Sequence, residues 1–254
     1  MKLTILGSGN ALPQKKRNAP GYLLEADNKL ILLDAGDGAI RQAAKAGYNI
    51  FDISHIFITH THVDHVAGLL NLLWPIRWSG LKKDWLAIYG PPKFKMFYKK
   101  MLEAFIPDMN QAPLKINVRD LKNNKFKINN LSVETKLMPE KMEKTFTPYE
   151  IGYRLTHKNK KFCFCGDNDK KSQEAIIALA KNCDLLLIEN CSMVPATGHL
   201  HPELVGEIAE KAKVKKIIAT HLPPEADNKK IKKIISKYYK GQIIIARDLM
   251  RIKI

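Results

Sequence analysis

A chain of 254 residues that is 45% hydrophobic can bury one substantial core, and single α/β domains commonly reach this length, so one domain spanning residues 1–254 is expected. Its 42 Lys and Arg against 25 Asp and Glu give a net charge of +17, which favours a polyanionic partner, although the lysines are scattered and not interleaved with stacking aromatics as on a single-strand platform. No apolar run reaches the length of a membrane span, and the opening run breaks at Gly7 too early for a secretory signal. Cys163, Cys165, Cys183 and Cys191 sit in or beside apolar runs without the spacing of a disulfide framework, so a cytoplasmic location with reduced core thiols is expected.

Along the chain, KLTILG, GYLLEA and KLILLDAG predict three short strands punctuated by Gly, Asn and Asp. GAIRQAAKAGY carries apolar residues at helical spacing and stops at Gly47, as a helix C-terminus does. ISHIFITH then predicts a buried strand that runs into a histidine cluster, and VAGLLNLLWPIRW a helix just past it. WLAIYG follows as a strand and PPKFKMFYKKMLEAF as a helix, with weaker strands around PLKINVRD, KFKI, LSVETKLM and EIGYRLTH. From KFCFCGDND onward strand and helix alternate to the end of the chain. Two β-rich halves sandwiched between helices are the expected architecture.

Four strand-like segments end in a residue able to bind a metal: Asp34 after LILL, the cluster His60 to His65 after HIFIT, Asp167 after FCFCG, and His221 after IIAT. Open α/β architectures place their sites at such ends. His60, His62, Asp64, His65, Asp167 and His221 can therefore converge on one cleft, and imidazole nitrogen with carboxylate oxygen suits zinc and similar divalent ions. Shuffling this composition would produce His-x-His-x-Asp-His in roughly four of ten thousand sequences, too few for chance. His55 is expected to be a strand histidine satisfied locally, His157 to belong to a solvated turn, and Cys163 and Cys165 to pack in the core. GSGNALP lacks the Gly-Lys-Ser/Thr ending of a nucleotide phosphate loop. Trp74, Trp78 and Trp85 are expected to pack in the core, with an aromatic wall at the cleft mouth as the functional alternative.

THTHVDH resembles the signature of the metallo-β-lactamase superfamily. GSGNALPQKKRNAPGYLLE, LLDAGDG, GDND, TGHLHPE and ATHLPPE are similar to its ribonuclease Z and related phosphodiesterase branch, and they arrive in that family's order from Leu3 to about Glu225. The resemblance implies an α/β fold, the four-layer αββα sandwich of the metallo-β-lactamase type, and a metal-dependent hydrolase acting on phosphodiester bonds of RNA or a small molecule through a metal-activated hydroxide. It implies that His60 and His62 bind one metal, that Asp64, His65 and His221 bind a second, and that Asp167 bridges them. One or two Zn2+ ions are implied, with Mn2+ or Fe2+ as alternatives, together with a homodimer; the lack of a span-length apolar run is what argues against a membrane partner. Asp34 would fix the orientation of the cluster, because ligating histidines need a partner on the other ring nitrogen. Asp64 would accept the water's proton and His199 would assist at the leaving group, with His201 as its nearby competitor.

The chain departs from the family pattern at two points. Where the family places a further ligand histidine ahead of its Gly-Tyr-Arg stretch, this sequence reads FTPYEIGYR, and the phenyl ring of Phe146 cannot coordinate. Glu140 or a water would have to fill the gap. No insertion has the Gly- and Pro-rich composition of the arm by which the ribonuclease Z branch grips tRNA. Hydrolysis of a carboxylic ester, lactone or thioester, and a degenerate metal-binding relative without catalysis, therefore stand as alternative functions.

Overall fold

The computed structural model describes residues 1–78, 85–139 and 149–254. Among them run two seven-stranded sheets. The first contains β1 (Lys2–Gly7), β2 (Gly21–Ala26), β3 (Lys29–Ala35), β4 (Ile53–Phe57), β5 (Trp85–Gly90) and β6 (Lys115–Asp120) side by side, with the C-terminal β14 (Arg251–Lys253) added outside β1. The second contains β7 (Lys125–Ile128), β8 (Leu131–Leu137), β9 (Ile151–His157), β10 (Lys160–Phe164), β11 (Leu185–Glu189), β12 (Lys216–Thr220) and β13 (Gln242–Ile245) in chain order across the sheet. Each sheet is antiparallel in one half, β1–β2–β3 and β7–β8–β9–β10, and parallel where a helix crosses over, as in β3–β4–β5–β6 and β10–β11–β12–β13.

The apolar runs explain the layering. LLLIE in β11 is buried at every position, because a parallel strand covered on both faces has no solvent side. Leu3, Leu24, Phe57, Tyr153, Phe162 and Leu187 fill the space between the sheets. Outside the first sheet, α1 (Ala39–Lys45), α2 (Val63–Val66), α3 (Gly68–Trp78) and α4 (Phe94–Phe105) contribute Ala43, Val66, Leu69, Leu72 and Phe94 to a second core. Outside the second sheet, α5 (Gln173–Ala180), α6 (Pro202–Lys211) and α7 (Asn228–Tyr238) contribute Ile176, Val205, Ile208 and Ile235 to a third. Three cores between four layers make the αββα sandwich. Each fully buried aliphatic or phenyl side chain in them contributes about 1.5–3 kcal/mol of transfer free energy. No helix among the described residues is long and apolar enough to cross a membrane.

The sheets are tied together at one end. The Tyr153 hydroxyl donates to the Ile58 carbonyl at 2.6 Å, Ile151 N–H to the Thr59 carbonyl at 3.0 Å, and Leu222 N–H to the Ser8 carbonyl at 2.9 Å. That end is where β3, β4, β10, β11 and β12 finish, and two glycines let the chain close on it. A Cβ on Gly36 would lie 2.2 Å from the Asp64 carbonyl oxygen, and one on Gly68 2.5 Å from the Gly36 carbonyl oxygen. Gly36→Ala should therefore force backbone apart and cost on the order of 2–3 kcal/mol, seen as a lower urea midpoint with unchanged slope; a midpoint equal to wild type would show that the loop yields freely.

Two expectations fail. Trp74 and Trp78 on α3 are 50% and 60% exposed, and Trp85 is exposed at the start of β5, so none is a core residue. The stripe of α3 that faces the core is carried by Leu69, Leu72, Leu73 and Ile76, and both tryptophans fall outside it. His157 is not in a solvated turn: it ends β9, with its Nε2 3.3 Å from Asp27 Oδ1.

A candidate metal centre at the strand ends

Asp34 is fully buried at the end of β3 and holds φ of 48°, a left-handed conformation that non-glycine residues adopt at a cost. Its Oδ1 accepts the Thr59 N–H at 2.8 Å, and its Oδ2 accepts the Thr59 hydroxyl at 2.8 Å and lies 2.7 Å from His65 Nδ1. A carboxylate only accepts, so Nδ1 of His65 carries a proton, and Nε2 is the nitrogen turned toward the cluster. That Nε2 is 3.3 Å from His221 Nε2, 3.4 Å from Asp167 Oδ1 and 3.5 Å from Asp64 Oδ2. His221, also held at a left-handed φ of 56°, sets the same nitrogen 3.2 Å from Asp64 Oδ2 and 3.3 Å from Asp167 Oδ1.

Asp64, His65, Asp167 and His221 thus each offer one ligand atom within 4.8 Å of all the others, every one buried. A second group adjoins it: His60, His62 and Asp167 meet the same criterion, with His60 Nε2 3.7 Å from Asp167 Oδ2. Asp167 belongs to both. Its Oδ1 is buried without a hydrogen-bond partner, which one shared cation would remedy better than any single proton. The residues present fit divalent ions of the zinc type, by donor chemistry and by burial.

The electrostatics agree. Burial works against a charged imidazole at His65 and at His221, but the facing carboxylates outweigh it: Asp167 and Asp34 hold His65 well above its ordinary value, and Asp167 with the Asp64 hydrogen bond pushes His221 up to about 10. Asp167 moves the opposite way. Burial would raise it, yet the charges of His221, His65 and His60 hold it well below the usual carboxylate range. Three carboxylates around these rings draw positive charge into a dry space, as protons or as metal ions.

His199 joins the rim of the group, its ring stacked on that of His221 with centroids 5.8 Å apart. Its Nδ1 lies 3.4 Å from Glu189 Oε1. Burial lowers His199, but Cys191 and Glu189 outweigh it and push it up to about 11. His201 points elsewhere, opening α6 with Nδ1 2.9 Å from Glu203 Oε2. His55 is satisfied locally as expected, by Ser54 Oγ at 2.9 Å and by the edge of Trp85. Phe146 and Glu140 lie outside the described residues.

Three further residues had escaped the sequence. Glu189, at the end of β11, accepts the backbone N–H of Asn168 at 3.1 Å and of Leu200 at 2.8 Å on Oε1, and that of Cys191 at 2.7 Å on Oε2. Its signal was present, since LLLIEN is a fifth strand that ends in a carboxylate. Cys191, expected among the core thiols, is partly exposed, and Cys191, His199 and His221 form a third group of ligand atoms within 4.8 Å. Glu150 is buried one residue before β9, with Oε1 4.0 Å from His60 Nδ1. Nothing in its local sequence marks it.

The αββα sandwich with this cluster at its strand ends has the fold of solved metallo-β-lactamase fold proteins. In sequence the chain is similar to ribonuclease Z of Methanothermobacter thermautotrophicus, 27% identical across 87% of this chain and 86% of that protein, and to ribonuclease Z of Methanopyrus kandleri, 25% identical across 99% and 97%. In fold it is similar to human tRNase Z, short form (TM-score 0.81, 23% identity, 100% and 99% covered), and to the metallo-β-lactamase fold protein YhfI of Bacillus subtilis (TM-score 0.82, 19% identity, 99% and 98% covered). The chain belongs to the anti-Pycsar protein Apyc1 family, whose model matches residues 1–243.

Proposed function

We propose that this protein hydrolyses phosphodiester bonds, with His60, His62 and Asp167 holding one divalent ion and Asp64, His65, Asp167 and His221 holding another. The observation that carries this proposal is the sharing of Asp167 between two adjoining donor groups. Two bound ions supply Lewis acidity, a water of lowered pKa and a clamp on attacking and leaving oxygens, which phosphodiester cleavage uses more than ester cleavage does. Zn2+ fits the donor set best, with Mn2+ or Fe2+ as alternatives.

The chain's own groups supply the proton chemistry. Asp64 is held below its ordinary value, since the His221 hydrogen bond and the charge of His65 outweigh burial, so its carboxylate is ionised in the neutral range and has the free oxygen lone pairs that a proton acceptor for the attacking water needs. His199, pushed up to about 11, carries a proton throughout the neutral range and acts as a cationic donor to the leaving oxygen, oriented by Glu189. His199→Ala should lower turnover by roughly 10²–10⁴ for a substrate with an alkoxide leaving group and by much less for one that leaves as nitrophenolate, which needs no proton. Equal losses on the two substrates would remove His199 from that role.

RNA or a small phosphodiester is the substrate class, and salt separates them: a polyanion releases many counterions on binding, so its KM rises steeply with ionic strength while that of a small phosphodiester stays nearly flat. The four free cysteines support a cytoplasmic location, and a homodimer is part of the same proposal, to be read by light scattering. The deciding test is metal content of protein purified without added metal, followed by turnover of bis-p-nitrophenyl phosphate with Zn2+ or Mn2+. About two ions per chain with turnover is the expected result. Ester or lactone hydrolysis without phosphodiester turnover would overturn it.

A further inference from the structure

Cys191 is the one cysteine of the described structure that is not fully buried, and it stands beside the proposed metal centre. Glu189 fixes it there, because one carboxylate receives the backbone N–H of Cys191 on one oxygen and that of Leu200, with the His199 ring, on the other. The two ends of the 191–200 loop are thereby held in register, and Ser192 N–H adds a bond to the Leu200 carbonyl at 3.1 Å. Sγ is met by the Asn10 side-chain amide, which donates to it at 3.4 Å. A sulfur approached by an amide N–H and two imidazoles is placed as an electron-pair donor. Sγ and one nitrogen each of His199 and His221 lie within 4.8 Å of one another. His221 directs Nε2 into the Asp64, His65 and Asp167 group, and its second nitrogen, Nδ1, is buried without a hydrogen-bond partner.

We propose that Cys191, His199 and His221 form a third cation site, specific for soft divalent ions such as Zn2+ or Cd2+, and that its occupation inhibits the enzyme. One thiolate and two imidazoles are three of the four ligands of a tetrahedral zinc site, with a water left to complete it, whereas Mg2+ and Mn2+ prefer oxygen donors and gain little from sulfur. On binding, Cys191 gives up its thiol proton, and His199 and His221 each give up the proton on the ligating nitrogen; these protons go to bulk water and the ion takes their place. The nitrogen of His199 that binds the ion no longer donates to a leaving oxygen. Inhibition therefore rests on the phosphodiesterase proposal above, while binding does not.

The test uses cation-free full-length protein titrated with Cd2+. The expected results are a sulfur-to-cadmium charge-transfer absorption in the ultraviolet, about one more ion bound by wild type than by Cys191→Ser, and alkylation of Cys191 by iodoacetamide slowed at least about tenfold by Cd2+ but not by Mg2+. Cys163, Cys165 and Cys183 are buried and serve as internal controls in the peptide map. Absence of both the absorption and the protection in wild type overturns the site, and that measurement stands even if the serine variant fails to fold. In Mn2+-loaded enzyme, Cd2+ should depress turnover far more in wild type than in Cys191→Ser; equal depression would overturn the inhibitory role. Absorption and protection without any phosphodiester turnover would leave the cation site standing and overturn the phosphodiesterase proposal alone, and turnover without them would do the reverse.

Discussion

Asp167→Ala should lose phosphodiester turnover by roughly a thousandfold or more, about 4 kcal/mol of transition-state stabilisation, and should lose metal from both donor groups at once. No other side chain belongs to both: His60 and His62 serve one, Asp64 and His65 the other. The carboxylate is also the negative charge that holds His65 and His221 above their ordinary values, so without it both rings are less able to keep positive charge in the pocket. Asp167→Asn separates charge from shape, since it keeps one oxygen of the pair in place but gives up the anion. Metal analysis and kcat/KM measured on both variants decide the point. An alanine variant with wild-type metal content and turnover would remove Asp167 from the centre.

Asp34→Asn should weaken metal binding about 10- to 100-fold while leaving the fold intact, and Asp34→Ala should also destabilise the fold by several kcal/mol. Asparagine tolerates the left-handed φ of 48°, and its carbonyl oxygen can still accept the Thr59 N–H. The amide nitrogen then occupies the place of Oδ2, where it donates and does not accept. His65 Nδ1 must become the acceptor, its proton moves to Nε2, and an N–H is aimed at the space where His221 and Asp167 meet. A methyl group instead leaves the Thr59 N–H, the Thr59 hydroxyl and His65 Nδ1 without their buried acceptor, each at about 1–3 kcal/mol. Zn2+ affinity by competition with a chelator and stability by urea titration read the two effects separately. If Asp34→Asn bound zinc as tightly as wild type, the orientation of His65 would not depend on Asp34.

The alternation of apolar runs with turn residues made the two β-rich halves legible, because a strand covered on both faces needs an unbroken apolar run and its end needs a polar or glycine residue to leave the sheet. LILLDAG, HIFITH, FCFCGD and IIATH each state both facts locally, and β3, β4, β10 and β12 end where those segments end. LLLIEN states them as well, though its terminal Glu189 drew no attention beside the histidines. The tryptophans misled because hydrophobicity says that a side chain is better buried somewhere, not that its own helix face is turned inward.

By itself the sequence determined which residues could bind metal, since His-x-His-x-Asp-His at a strand-to-helix junction concentrates donors within six positions, and it determined the strand ends that would carry Asp34, Asp167 and His221. Only the tertiary structure decided which donors share a space: that Asp167 lies between two groups, that His199 and not His201 turns toward His221, that Glu150 comes up behind His60, and that Cys191 leaves the class of core thiols for the rim of the site. The physical reason is range. Periodicity and turn chemistry act over a few residues and are written locally, whereas the approach of Cys191 to His221, or of His65 to Asp34, depends on how two sheets stack and which ends meet.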